Sequence, residues 1–416
     1  MQRVIVAGFG KGDECKPNNL RKAAGSAARA LIAAKIKQTA VVAPILSNPA
    51  RVHYLAALAE GLVLGGYQFT ECKGKPEAKP ELDFSIISGI PDAERVLAEA
   101  EVVADAVCYT RDLVNRPGNL VTPSVMAEEA EALAMEFEIL DVTMMEAMGM
   151  HALLAVGQGS IHPPCLVTIK YNGAGAAPYT AYVGKGITFD SGGISIKPSD
   201  NMGEMKDDMA GAGAVLGALR AIAALKIPCN VMGIIACAEN MPSGSAQRPG
   251  DVVKAANGKT IEVISTDAEG RMVLADSVWY ACKQGAAKVV DIATLTGGVI
   301  VALGTETAGV VGNDDVLIRQ IIEAGKKAGE SYWQLPALPE CKEALKSDVA
   351  DLLNSAGREA SCISGGLFIG EFVEAGIPWA HIDIGGTSTA AKTAGFKVKG
   401  GTGFGVSTLI KLAQEM

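Results

Sequence analysis

Short runs of β-branched residues alternate with longer Ala- and Leu-rich stretches along most of the chain, and this alternation restricts the fold more than any other feature. Before residue 90 the strand-like runs 4–8, 40–45 and 84–87 are separated by the helical stretches 20–35 and 54–64. Strands recurring at this spacing, with a helix between them, build βαβ units on a parallel sheet. A second series follows. Its apolar strand candidates are residues 165–169, 181–183, 230–236, 288–292 and 381–384, and its helices are 207–225, 276–284 and 315–328. Between the two series, residues 91–114 read as one helix rich in Ala, Glu and Val, ended by Asn115-Arg116-Pro117-Gly118. A chain of 416 residues exceeds the size of a single core, so this helix is read as a connector between two domains. The division is residues 1–90, 91–115 and 116–416.

Glycine is abundant, at 48 residues, and clusters at strand ends: Gly184, Gly186, Gly192, Gly193, Gly297 and Gly298. Ligands bind at the carboxyl ends of strands in open α/β sheets, and glycine permits the close backbone approach this needs. An active site is expected there. The net charge of -9 offers no electrostatic footprint for a phosphate backbone, so nucleic acid is not an expected partner. Nine cysteines stand singly with no CxxC pair, as reduced thiols of a cytosolic protein do. The first residues enter a strand-like run without the longer apolar stretch of a signal peptide. No run approaches the ~18 apolar residues of a membrane span. The expectation is a soluble, cytoplasmic protein with no membrane partner.

Only four histidines occur (His53, His151, His162, His381), none at the i, i+4 spacing of a zincin helix, so a histidine-based metal site is not indicated. Charge concentrates instead in two Gly-rich segments. The first carries Lys185, Asp190 and Lys197 and continues to Asp207-Asp208; the second is Ser265-Thr266-Asp267-Ala268-Glu269-Gly270-Arg271. On an extended backbone Asp267, Glu269 and Arg271 would point to one side. Charges gathered against an apolar wall need partners, and a pair of divalent cations would supply them. Two cations roughly 3.5–4 Å apart make a shared water nucleophilic and polarise a carbonyl. The four acids Asp190, Asp208, Asp267 and Glu269 suit that task. They also suit a plainer role as solvated loop acids with ordinary salt bridges, and charge and spacing do not separate the two.

In order and spacing, Lys185, Asp190, Lys197, Asp208 and the 266–271 block resemble the leucyl aminopeptidase, or cytosol aminopeptidase, family. The likeness extends through residues 239–244, 248–251, 293–297 and 379–383 and covers the chain from roughly Arg111 onward. It implies a small N-terminal macro-domain-like α/β domain, a connecting helix and a larger C-terminal α/β catalytic domain with a mixed central sheet. It implies a hydrolase that removes N-terminal amino acids, Leu and other mainly apolar residues, from short peptides. One metal would be held by Lys185, Asp190, Asp208 and Glu269, the other by Asp190, Asp267 and Glu269. A lysine ligand must be neutral, which a neighbouring cation favours. Lys197 would stabilise the oxyanion and Arg271 would hold a bicarbonate acting as general base. Met205, Thr294, Leu295 and Gly297 would surround the first side chain of the substrate; in isolation Met205 reads as core. Zn is expected in the tighter site and an exchangeable Zn, Mn or Mg in the other. The assembly implied is a homohexamer.

Ser265 stands where the family usually has Asn, and Gly385-Gly386 where Ala-Gly is usual; both bear on the pocket around the substrate. The N-terminal domain is shorter than the resemblance implies, as if its first strands were absent. Two other functional classes find less support in the sequence. A nucleotide-binding loop at Gly8-Phe9-Gly10-Lys11-Gly12 fits neither GxGxxG nor a P-loop. A non-catalytic, DNA-bending hexamer is opposed by the acidic balance.

Overall fold

The computed structural model describes residues 4–11, 15–44, 51–75 and 82–416. The chain divides into two compact units, Met1–Asp112 with Thr389–Thr402, and Leu113–Ser388 with Gly403–Met416. The boundary thus falls inside the long helix, and residues 389–402 group with the first unit.

In the first unit, helices α1 (Pro17–Ala33) and α2 (Arg51–Gly66) accompany strands β1 (Gln38–Val42) and β2 (Asp83–Ile87), and helix α3 (Ala93–Asn115) follows. The strands pair in parallel, from Gln38↔Asp83 to Val42↔Ile87, with α2 as the crossover. Leu20, Ala24 and Ala28 recur at helical spacing and pack with Tyr54, Leu58 and Leu62 of α2. At Gly61 the helices approach so closely that a Cβ would lie 2.8 Å from Arg21 Cα. The Arg21 guanidinium is buried here and pairs with Glu60 at 2.6 Å. The expected strand 4–8 is not formed. Val4 and Val6 are 85% and 89% exposed, and β composition without a ladder partner does not make a strand. Ile45 of the expected 40–45 strand, and Gly12 of the Gly8–Gly12 motif, lie outside the described residues.

The second unit is built on an eight-stranded sheet, with three short strands forming a separate small sheet. Its strands in chain order are β3 (Glu136–Leu140), β4 (Cys165–Asn172), β5 (Tyr179–Asp190), β6 (Asn230–Asn240), β7 (Val252–Lys254), β8 (Thr260–Glu262), β9 (Ala286–Ala293), β10 (Thr307–Gly312), β11 (Ser331–Gln334), β12 (Leu352–Leu353) and β13 (Trp379–Asp383). The large sheet runs β11-β10-β13-β9-β5-β6-β4-β3. Its central strands β13, β9, β5 and β6 are mutually parallel, while β10, β4 and β3 run antiparallel to their inner neighbours. The sheet is therefore mixed. The parallel strands are almost wholly buried, which explains their continuous apolar sequence.

Two features position the site. The four parallel strands end at one edge, so Asp190, Asn240, Ala293 and Asp383 are brought to the same border of the sheet, with registers Asp190↔Asn240 and Ala293↔Asp383. Helix Ala210–Ala224 also lies unusually close to the sheet. A Cβ on Gly184 would stand 2.6 Å from Ala212 Cα, and one on Gly211 would collide with the Ile292 carbonyl. Glycine inside a helix costs about 1 kcal/mol, and the close packing offsets it. The helix starts later than expected, because residues 202–209 tighten into a 3-10 turn that presents Asp208 toward the sheet edge. Helix Gly270–Lys283 begins six residues earlier than the reading from position 276.

Candidate metal-binding active site

Strand β5 supplies the first two charged groups. Lys185 lies within it, 2% exposed, and Asp190 ends it after a shift in register. Gly192 and Gly193 then take φ of +88° and +66°, a left-handed turn that few side chains tolerate, and Lys197 N donates to Ser191 O at 2.9 Å. This turn carries the Lys197 ammonium back over the strand end, 2.8 Å from Asp190 and 2.5 Å from Asp267.

The second segment is held against the first by hydrogen bonds. Thr266 Oγ1 donates to Gly192 O at 2.5 Å, and Thr266 N donates to Ser195 Oγ at 3.1 Å. Asn240 Nδ2 donates both to Asp190 Oδ1 and to Thr266 O. Asn354 accepts from Ile264 N and donates to Ser265 O, both at 2.7 Å. The backbone here is a turn leading into a helix, so the expectation that an extended strand aligns Asp267, Glu269 and Arg271 is corrected. Asp267 and Glu269 still converge with Asp190, each offering an oxygen within 4.8 Å of the others. Arg271, one helical step on, is buried, donates to Asn354 O at 2.8 Å and is absent from the cavity lining.

Lys185 ties the deep part together. Its Nζ lies 2.7 Å from Asp208, 2.8 Å from Glu269 and 2.8 Å from Thr294 O. Such proximity requires glycine at 270, where a Cβ would stand 2.6 Å from Lys185 Cε. Burial opposes the Lys185 charge, but Asp208, Glu269 and Asp190 outweigh it and hold its proton above the ordinary lysine range. Burial likewise opposes the Lys197 charge, and Asp190 and Glu269 outweigh it. Asp208 and Asp190 are pushed up by burial and then by neighbouring carboxylates, with the lysines pulling the other way. Burial brings the Arg271 guanidinium down to about 10, so it stays charged at neutral pH.

Four carboxylates therefore face two ammoniums in a largely buried cluster, leaving a negative surplus that further cations would neutralise. Two further observations fit cations here. Asp208 Oδ2 is buried without a hydrogen-bond partner, which a metal ligand oxygen would be in their absence. The donor set is otherwise oxygen with one amine, acceptable to hard or borderline divalent ions. Above the cluster lies a cavity of about 420 Å³ lined by Lys185, Asp190, Lys197, Met205, Asp208, Asp267, Glu269, Thr294, Leu295 and Gly297. Every candidate from the sequence except Arg271 is in that lining, together with Met202, Asp207, Thr296, Ile300 and Gly385.

The family description "Cytosol aminopeptidase family, catalytic domain" matches residues 108–410, and its N-terminal-domain counterpart matches residues 1–76. The chain belongs to the cytosol aminopeptidase family. A probable cytosol aminopeptidase of Alkaliphilus metalliredigens is 44% identical over 100% of this chain and 85% of its own length. One from Roseiflexus castenholzii is 43% identical over 100% and 87%. The bottromycin maturation enzyme BotP, also solved in complex with Mn, superposes with a TM-score of 0.91 at 37% identity, covering 98% of this chain and 89% of that one. A tomato leucine aminopeptidase mutant gives 0.89 at 36% identity over 96% and 79%. As a member of this family the chain is a metal-dependent hydrolase that acts as an exopeptidase.

No histidine lines this cavity. His381 is buried against Asp291 at 2.5 Å, and among the described residues the acidic trio is the only group of potential His, Cys, Asp or Glu ligands. No described helix is long and apolar enough to cross a membrane. Three polar residues that brace the ligand-bearing segments do not stand out by their own chemistry in the sequence: Asn240, Thr266 and Asn354. Each is a buried polar residue beside an apolar run, which is the signal that would have flagged them.

Proposed function

We propose that this cytosol aminopeptidase releases Leu and other mainly apolar N-terminal residues from short peptides at the cluster around Lys185. The observation that carries the reading is the convergence of Lys185 on Asp208 and Glu269, beside the trio Asp190, Asp267 and Glu269. Lys185, Asp190, Asp208 and Glu269 would hold one divalent ion; Asp190, Asp267 and Glu269 would hold the other. Such a pair supplies Lewis acidity, bringing a water toward ionisation at neutral pH and polarising the scissile carbonyl. Zn in the deeper site, with Zn, Mn or Mg in the shallower, fits an amine ligand buried below and the half-exposed Asp267 above.

The residues of the chain do the rest. Lys197, 20% exposed at its side chain, presents its ammonium to the cavity and donates to the carbonyl oxygen as it becomes negative. Arg271 keeps a buried Nε without a partner, a donor suited to the flat oxyanion of a bicarbonate serving as general base. Its Nη2 and the pocket residue Leu295 flank the same point, each 3.1 Å from a Cβ built on Gly365. Met205, Thr294, Leu295 and Gly297 line the space for the first side chain, and Gly385 leaves that wall without a side chain. Family membership supports a homohexamer in the cytoplasm, a state that light scattering reads directly.

Hydrolysis of Leu-p-nitroanilide and Cys-Gly, with Zn, with Mn and after chelation, tests the reading. Turnover should require metal, and an N-acetylated substrate should be refused. Cleavage of the blocked substrate, or full activity after exhaustive chelation, would overturn it.

A further inference from the structure

Asp383 ends strand β13 beside Ala293 of β9, and it is 1% exposed. No lysine or arginine among the described residues forms an ion pair with it. Three of its four hydrogen bonds go to one turn, and Arg271 lies near enough to interact with its charge. Oδ1 accepts from Leu295 N at 3.2 Å, Thr296 N at 3.4 Å and Gly385 N at 3.1 Å, while Oδ2 accepts from Thr296 Oγ1 at 2.6 Å. Thr296 Oγ1 accepts in turn from Val299 N, capping the helix Gly297–Leu303. Three of these bonds fix residues 295 and 296, immediately after Thr294.

Thr294 is where that turn meets the metal cluster. Its carbonyl accepts from Lys185 Nζ at 2.8 Å, and its hydroxyl donates to Asp208 Oδ1 at 2.8 Å. A neutral lysine amine has two N–H donors and one lone pair. With a metal in place of the third proton, an acceptor fixed on one side of the amine takes one N–H and narrows the lone pair to two directions. The other half of the turn, Leu295 and Gly297, lines the cavity.

From this chain of contacts we infer that Asp383 is a positioning residue: by locking the 294–296 turn it aims the Lys185 amine and the Asp208 carboxylate at the deeper metal site. The inference rests on the proposed role of Lys185 as a ligand. Outer partners of metal ligands typically contribute 10–100-fold in affinity. A buried carboxylate that merely stabilised the fold would alter the melting temperature and leave the metal affinity of the folded protein unchanged.

The test is calorimetric titration of the chelated, folded protein with Mn, on wild type, Asp383→Asn, Thr296→Val and Thr296→Ser. Asp383→Asn should weaken one of two Mn sites by about 10-fold or more and spare the other. Thr296→Val should weaken the same site less, and Thr296→Ser, which keeps the hydroxyl, should restore it. If Asp383→Asn does not fold, the Thr296 pair decides. Wild-type affinities at both sites in folded Asp383→Asn, or in Thr296→Val, would overturn the inference alone. A wild type that binds no Mn would overturn the proposed metal site with it.

Discussion

The deep and shallow halves of the site use the same residue types in different surroundings. Below, the side chains of Lys185, Asp208 and Glu269 are 3%, 9% and 2% exposed, and Lys185 is packed against Gly270. Above, Lys197 and Asp267 are 20% and 39% exposed, with Asp190 between the halves. A buried ion pair loses solvation that Coulomb attraction only partly returns, whereas an exposed pair contributes little in either direction. The deep lysine is held in one geometry by Asp208, Glu269 and Thr294 O, as its proposed role as a ligand requires. The shallow one keeps enough freedom to exchange its carboxylate partners for a substrate oxygen. The difference matches the roles proposed for them, Lys185 toward a metal and Lys197 toward a transition state.

The largest expected effect breaks the deep half. Asp208→Ala removes both the Lys185 contact and the buried oxygen without a partner. Metal affinity should fall by more than the ~100-fold upper range of an outer-shell change, taking turnover with it. Retained wild-type turnover in Asp208→Ala would erase the distinction between the halves. Next is Lys197→Ala, expected to lower kcat by about 10²–10³-fold, as loss of an oxyanion donor does. Because it removes a positive charge, Mn affinity should hold or tighten. A parallel loss of Mn would show Lys197 to be structural.

Gly270→Ala acts on the deep half sterically. Its Cβ would meet Lys185 Cε at 2.6 Å, so we expect overpacking of about 1–3 kcal/mol and a weakened deep metal site. Thermal melting with Mn titration checks it, and an unchanged pair of values would show that Lys185 moves freely.

The smallest effect concerns Asp276, a buried acid held by Leu153 N and Ala256 N with no ammonium nearby, where burial alone pushes the carboxyl up to about 7. A folded pKa above the unfolded value stabilises the protonated form. That contribution is full below about pH 4 and is lost as pH rises toward 7. The melting temperature of wild type relative to Asp276→Asn should fall from pH 5 to 7 and level off above. A constant gap would mean that burial does not raise acids in this core, and would remove that explanation for the deep half too.

Much of this was legible in the sequence. Central strands announced themselves as apolar runs, because both faces of the parallel sheet are covered. The helix Asp315–Ala328 matched its expected bounds, since Asp314 caps it and Gly329 ends it in a left-handed conformation. Lys185, Asp190, Lys197, Asp208, Asp267 and Glu269 were found through their resemblance to a family; charge and spacing alone left them ambiguous. What sequence did not reveal depends on contacts distant along the chain. The 3-10 turn before Ala210 follows from how helix and sheet touch at Gly184 and Gly211. The strand 4–8 failed because propensity needs a partner edge. Asp383 gives no local hint that it serves residues 295 and 296.

Anomalous diffraction from crystals loaded with Zn and Mn tests the central claim most directly. Two peaks per chain are expected, one touching Lys185, Asp208 and Glu269 together, the other touching Asp267 and clear of Lys185. A single peak, or two that both leave the Lys185 amine unligated, would contradict the account.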